Sequence, residues 1–284
     1  KVSLSKISQN IDYLKRTVES GYTSTKLEFK SMDQVVEEYK IAKSRIVEKR
    51  TCGFKILDEK LTEGLKGGQI SVIAGLSSMG KSSWALSMMN NLSNKGVYTA
   101  QFALEMDNMS ITSKLLAFNA DKPLSTIVKN INEFSESDRR VIEWEMERLG
   151  NNKYIFLNDK PSQSLSDIRE QIMMLQDKLK TEYIVTVIDL FGKIRDFQTS
   201  DNFARDYEKK LNQVQAMTRE LGVHMSLVAQ INRTVAKRSY GRPKMSDLKN
   251  AGALEEVADI IFGIHRPYYD PEVALKHKMS QEDD

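Results

Sequence analysis

The sequence is poor in the residues that crosslink or interrupt chains. Its 284 residues include one cysteine, Cys52, which excludes an intramolecular disulfide framework and favours a reducing compartment. It has five prolines and no low-complexity tract, which argues against long linkers. No apolar run approaches the roughly 18 residues that a membrane-spanning helix needs, and no signal peptide opens the chain. A cytoplasmic protein without a membrane partner is the expectation. Charge of one sign is scarce too: 42 Lys and Arg face 39 Asp and Glu, for a net charge of +3. That is too little to imply nucleic acid, so any such argument must rest on local charge. What remains is globular chemistry, with 40% hydrophobic and 29% charged residues, enough for a sizeable core. At about 150 residues per domain the length gives one large domain or two small ones. The chain opens on Lys1 rather than Met, which points to processing or to a longer polypeptide.

Residues 1–50 read differently from the rest. Leu4, Ile7, Ile11, Leu14 and Val18 form one stripe of an amphipathic helix, and Met32, Val35, Val36, Tyr39, Ala42 and Ile46 form a second. Gly21–Thr25 breaks the pattern between them. The stripes pack either on the main domain or on another subunit; spacing alone leaves both open. From Thr51 onward, strand and helix alternate. Apolar strands are expected at 69–74, 97–104, 183–188, 224–229 and 260–264, with a weaker one at 154–157. Helices are expected at 81–92, across much of 110–149, and at 165–179 and 204–221. Apolar β-rich runs separated by helices specify an α/β fold with a mostly parallel central sheet flanked by helices.

The sharpest motif is Gly75-Leu76-Ser77-Ser78-Met79-Gly80-Lys81-Ser82, followed by Ser83. It matches G-x-x-x-x-G-K-S/T and lies after an apolar strand and before a helix, as a phosphate-binding loop must. Backbone amides of Gly75, Ser77, Ser78, Met79 and Gly80 and the following helix N-terminus suit phosphate oxygens. Lys81 brings a point charge to the β- and γ-phosphates, and Ser82 a hydroxyl to Mg²⁺. Asp189 ends the strand YIVTVI and supplies a second Mg²⁺ ligand at the same sheet edge. Glu105 ends the second strand there; on position alone, a solvated glutamate is the plainer reading, and a water-activating base the alternative. Gln230 ends the strand HMSLVA. It reads either as a surface residue or as a γ-phosphate sensor.

In chain order, Thr51-Cys52-Gly53-Phe54, Leu57-Asp58, Gly64-Leu65, Gly67-Gly68, SSMGKSS, FALEM, VIDL, Gln230-Ile231-Asn232-Arg233 and RPKMSDLKNAGALEEVAD now stand together. This set resembles the RecA-like motor domain of the DnaB family of replicative hexameric DNA helicases, over about residues 47–269. The resemblance implies a P-loop ATPase at 51–284 preceded by a helical linker at 1–50. It implies ATP as substrate, Mg²⁺ as cofactor, single-stranded DNA as track, and a homo-hexamer with primase and helicase-loader partners in a bacterial or phage-infected cell. It assigns Glu105 as catalytic glutamate, Gln230 as γ-phosphate sensor, Lys81, Ser82 and Asp189 to nucleotide and Mg²⁺, and Lys249, Asn250 and Gly252 to a DNA-tracking loop. It also makes Met32–Ile46 a linker helix that docks on a neighbouring subunit.

The sequence departs from the family at Leu190-Phe191-Gly192, where Tyr-Leu-Gln is usual, at Cys52 for a usual Pro, and at Asn250 for a usual acid. The resemblance further places an N-terminal domain before this chain, and the last strands, with their trans-acting basic pair, after Asp284. Local charge fits a DNA channel. Arg233, Lys237, Arg238, Arg242, Lys244 and Lys249 face only Asp247, a net +5 within 17 residues. A basic flexible loop that includes Arg242 suits phosphate tracking without base readout. A recombinase or loader ATPase that binds DNA without unwinding it is the alternative, as is a nucleotide-binding assembly module.

Overall fold

The computed structural model describes residues 29–44, 51–61, 64–197, 203–231, 243–248 and 251–266. The chain divides into two units, Lys1–Glu48 and Lys49–Asp284. In the first, one helix is described, α1 (Met32–Ser44). It realises the second apolar stripe, and its Met32 and Tyr39 are 74% and 61% exposed. The stripe at Leu4–Val18 and the position of Ile46 lie outside the described residues.

The second unit opens with the short helix α2 (Lys55–Lys60) and then alternates: β1 (Ile70–Gly75), α3 (Lys81–Ser93), β2 (Thr99–Ala103), α4 (Asn108–Asn119), α5 (Leu124–Ile127), α6 (Glu136–Gly150), β3 (Ile155–Asn158), α7 (Leu165–Leu179), β4 (Val185–Asp189), α8 (Phe203–Leu221), β5 (His224–Gln230), α9 (Ala251–Val257) and β6 (Ile260–Gly263). The described strands form one sheet in the order β3-β2-β4-β5-β1-β6, and every pairing is parallel. β1, β2 and β4 are buried throughout and β5 up to its last residue, as a sheet covered on both faces requires.

Three polar residues inside this sheet bond one another, whereas the buried Gln101 amide and Thr186 hydroxyl have no hydrogen-bond partner among the described residues. Ser71 and Ser226 hydroxyls meet at 2.8 Å, and His224 bridges Ser71 at 3.0 Å and the Lys66 carbonyl at 2.9 Å. One face packs against α7, α8 and α9 through Ile168, Ile172, Leu211, Val214 and Leu254. The other packs against α3 through Ala85, Met88, Met89 and Leu92, together with Cys52 and Leu65 from the segment before β1. Each fully buried Leu, Ile, Val or Met among them contributes roughly 1.5–3 kcal/mol of transfer free energy. Phe54 stacks on Trp84 with centroids 5.0 Å apart, and Trp84 meets Phe262 at a tilt with centroids 4.8 Å apart, beside the β6 edge of this second layer.

The helical expectation over 110–149 resolves into α4, α5 and α6. Local chemistry sets the breaks. Asp121 takes a left-handed φ of 50°, Pro123 precedes α5, and the Ser135 side chain caps α6 by accepting from the Asp138 amide. Such caps are worth about 1 kcal/mol each. α7 matches its expected span and carries a full capping box, Ser164 with Asp167. The weak strand expected at 154–157 is β3, at the edge of the sheet beside β2 and half-buried.

Candidate nucleotide site

The sheet order lays the candidate residues out along one edge. Because all strands run parallel, their C-terminal ends share that edge. Gly75 is the register partner of Gln230, and Ala103 that of Asp189. The Leu104 amide donates to the Asp189 carbonyl at 2.7 Å, which puts Glu105 one residue further out, beside Asp189. With β2, β4, β5 and β1 adjacent in that order, the edge reads Glu105, Asp189, Gln230, phosphate loop.

The loop's two glycines each answer a local demand. A Cβ on Gly75 would stand 2.9 Å from the Ile264 carbonyl oxygen and 3.3 Å from Lys81 Cγ, so the strand end can pass β6 only as glycine. Gly80 has φ of 94°, a left-handed conformation that places it as N-cap of α3. Ser78 also takes positive φ, 64°. The loop then turns into α3, whose first amides face outward as unpaired donors suited to an anion. Gly75→Ala should lower Tm by roughly 2–12 °C, from an overpacking cost of about 1–3 kcal/mol; differential scanning calorimetry checks this.

Lys81 is 9% exposed, and its ammonium donates to the Leu76 carbonyl at 2.8 Å. Burial lowers its pKa, while Asp189 and then Glu105 oppose that shift. Asp189 is 4% exposed. Burial raises its pKa, a hydrogen bond from Ser82 lowers it, Glu105 raises it, and Lys114 and Lys81 lower it. These interactions place Lys81, Ser82, Glu105, Lys114 and Asp189 within electrostatic reach of one another. Glu105 is solvent-exposed, as is Gln230. The Ser82 hydroxyl and Asp189 carboxylate are an all-oxygen donor pair of the kind Mg²⁺ prefers, since that ion keeps several waters and takes one or two protein ligands. The residues fit the ion.

A family described as the DnaB-like helicase C-terminal domain matches residues 50–283. The chain belongs to that family. Among its relatives, replicative DNA helicase DnaB of Rickettsia prowazekii (strain Madrid E) is 28% identical over 230 residues, covering 77% of this chain and 46% of that protein. The protein of the same name from Geobacillus stearothermophilus is 28% identical over 219 residues, covering 76% and 47%. The chain thus spans about half the length of the curated relatives it matches. A solved structure of an ATPase domain superposes with a TM-score of 0.78 at 26% identity, over 86% of this chain and 87% of that one. A DnaB-like replicative helicase, solved for its interactions with primase, gives 0.75 at 24% identity over 94% and 66%, a likeness of fold. The architecture is the RecA-like ATPase fold of DnaB-like helicases.

Within this DnaB-like domain the sequence motifs divide into site and scaffold. Asp259, in the ExxAD stretch, is scaffold: its carboxylate accepts the Ile70 amide at 2.8 Å and its own amide donates to the Ile70 carbonyl at 2.9 Å, locking β1 to the start of β6. Asp247, the single acid of the basic run, is 3% exposed and accepts the Lys244 amide at 2.7 Å. It is therefore turned inward, away from any polyanion. Leu248 forms an antiparallel bridge with Ile231, whose amide donates to the Gly75 carbonyl at 3.2 Å. Arg242, Lys249 and Asn250 lie outside the described residues. Gly252, expected in a loop, instead sits in the first turn of α9, exposed and with open space where a Cβ would stand.

Lys114 joins the site without any signal in the sequence. It sits on α4, contacts the Met106 sulfur at 3.2 Å and acts on Asp189 electrostatically. It follows no strand and belongs to no phosphate motif, so only the fold of α4 against the sheet edge brings it there.

Proposed function

We propose that this chain is the motor of a ring-forming replicative DNA helicase, hydrolysing ATP with Mg²⁺ and moving along single-stranded DNA. The observation that carries the proposal is the convergence of Lys81, Ser82, Glu105, Asp189 and Gln230 on one sheet edge in a chain of the DnaB-like family. The loop amides, Lys81 and the N-terminus of α3 bind the triphosphate. Ser82 and Asp189 would hold Mg²⁺, which would supply positive charge against the phosphates. Glu105 accepts the proton of the attacking water, and its exposure leaves its carboxylate open to solvent. Lys114 adds positive charge on the Glu105 side of the site. Gln230 offers a neutral amide at the phosphate, which distinguishes triphosphate from diphosphate without adding charge.

Hydrolysis at subunit interfaces of a homo-hexamer fits the family, and the exposed apolar positions of α1 suit an intersubunit contact. Primase and a helicase loader are the partners in keeping with a replicative motor. DNA-stimulated ATPase activity together with unwinding of a forked duplex tests the reading; ATPase without unwinding would favour a recombinase or loader. The basic segment around Arg242 and Lys249 tracks phosphate. Lys249→Ala and Arg242→Ala should therefore weaken single-strand binding alike for all base sequences. Each lost contact should also flatten the slope of log K against log salt by about 0.7. Fluorescence anisotropy titrations at several salt concentrations check both.

A further inference from the structure

Two helices frame the site from one side, and the contact between them is unequal along its length. α3 begins at Lys81, and α4 follows Glu105 and carries Lys114. Along them runs a pocket of about 310 Å³ lined by Ser83, Leu86 and Ser87 of α3, Lys114 and Phe118 of α4 and Leu124 of α5. In the middle they meet through Leu86, Ile111 and Leu115, an apolar cluster shared with Ala103. At the far end Asn90 and Asn119 exchange two hydrogen bonds: Asn90 Nδ2 donates to Asn119 Oδ1 at 3.0 Å, and Asn119 Nδ2 donates to Asn90 Oδ1 at 3.3 Å. Asn90 is 2% exposed.

Apolar packing is non-directional and tolerates sliding of one helix along another. A cavity beside the cluster removes part of the steric resistance to such sliding. The amide pair does not tolerate it, because a slip leaves the buried Asn90 amide desolvated and unpaired, and single buried asparagines are known to set helix register for this reason. We propose that Asn90 and Asn119 are positioning residues that fix the axial register of α4 on α3, and through it the placement of Glu105 and Lys114 against Lys81, Ser82 and Asp189. The proposal rests on the reading of those five residues as the hydrolytic site. Neighbouring polar contacts reinforce the same end: Asn152 donates to the Ser93 hydroxyl at 3.0 Å, and Arg148, paired with the buried Glu145, reaches Asn94 at 3.3 Å. These tie α6 and the turn after it to the end of α3, whereas the Asn90–Asn119 pair ties α4 to α3 by reciprocal bonds.

The test compares the wild-type chain with Asn119→Leu and with the double variant Asn90→Leu/Asn119→Leu. The single variant leaves one amide buried and unpaired, so its Tm should fall. The double variant removes both polar groups and its Tm should recover to near the wild-type value. DNA-stimulated kcat in the double variant should nonetheless fall roughly 10–100-fold, with KM for ATP within about threefold. A second readout does not depend on activity. Spin labels at Ser87→Cys and Phe118→Cys should give one distance by electron–electron resonance in the otherwise wild-type chain. In the double variant the distribution should broaden or shift by up to one helical turn, about 5.4 Å. An unchanged distance distribution overturns the proposal, as does kcat recovering together with Tm. If the full-length protein, with the strands expected after Asp284 included, has no ATPase activity, the functional reading fails, and the distance measurement still decides the register.

Discussion

Glu105→Gln is expected to lower ATP turnover by roughly 10²–10⁴-fold, the usual worth of a positioned general base, with nucleotide affinity nearly unchanged. The amide keeps the size and hydrogen-bonding reach of the side chain but is a poor proton acceptor. Glu105 stands beside Asp189, joined through the Leu104–Asp189 backbone bond, and its negative charge adds to the burial that raises the Asp189 pKa. Removing that charge should therefore favour phosphate binding slightly. The measurement is steady-state ATPase with and without single-stranded DNA, paired with equilibrium binding of a fluorescent ATP analogue. Wild-type turnover in Glu105→Gln would remove this residue from the chemistry.

The other large effect belongs to Lys81. Its ammonium rests on the Leu76 carbonyl and balances Asp189 and Glu105. Lys81→Ala removes the only cation of the phosphate-loop motif and leaves Asp189, 4% exposed, without that counter-charge. An incoming triphosphate then meets carboxylates with one cation fewer. A hydrogen bond to a charged group is worth about 1.5–3 kcal/mol, so ATP affinity should fall roughly 10–150-fold and turnover with it. Isothermal titration at fixed Mg²⁺ reads the affinity. The folded fraction should stay intact, since the lysine contributes little to the apolar core; circular dichroism checks that the loss is one of binding.

How much of this was legible beforehand depends on the range of the interaction that fixes each feature. The phosphate loop is a local device: spacing, a preceding apolar strand and a following helix suffice, and 75–82 joins β1 to α3 accordingly. The strands were legible because a two-sided parallel sheet needs continuous apolar runs, and α7 because its cap lies in its own sequence. The division of 110–149 was not, since it turns on the positive φ at Asp121 and a serine cap at Ser135, signals no stronger than those in many uninterrupted helices. Gly252, which the family resemblance put in a loop, lies in α9, which starts one residue before it.

By itself the sequence determined that Lys81 and Ser82 sit at a helix N-terminus, that Asp189 and Gln230 end strands, and that the fold is α/β, because each follows from hydrogen bonds and side-chain periodicity within a few residues; Glu105, expected to end β2, lies two residues beyond its last residue, Ala103. Only the tertiary structure decided which strand ends are neighbours, since order in a sheet is set by packing between elements far apart in sequence. It alone brought Lys114 to the Asp189 carboxylate, turned Asp247 inward and made Asp259 a brace for β1. The physical reason is shared: an ionisable group's role follows from its desolvation and from the charges within a few ångströms, and neither exists until the chain has folded around it.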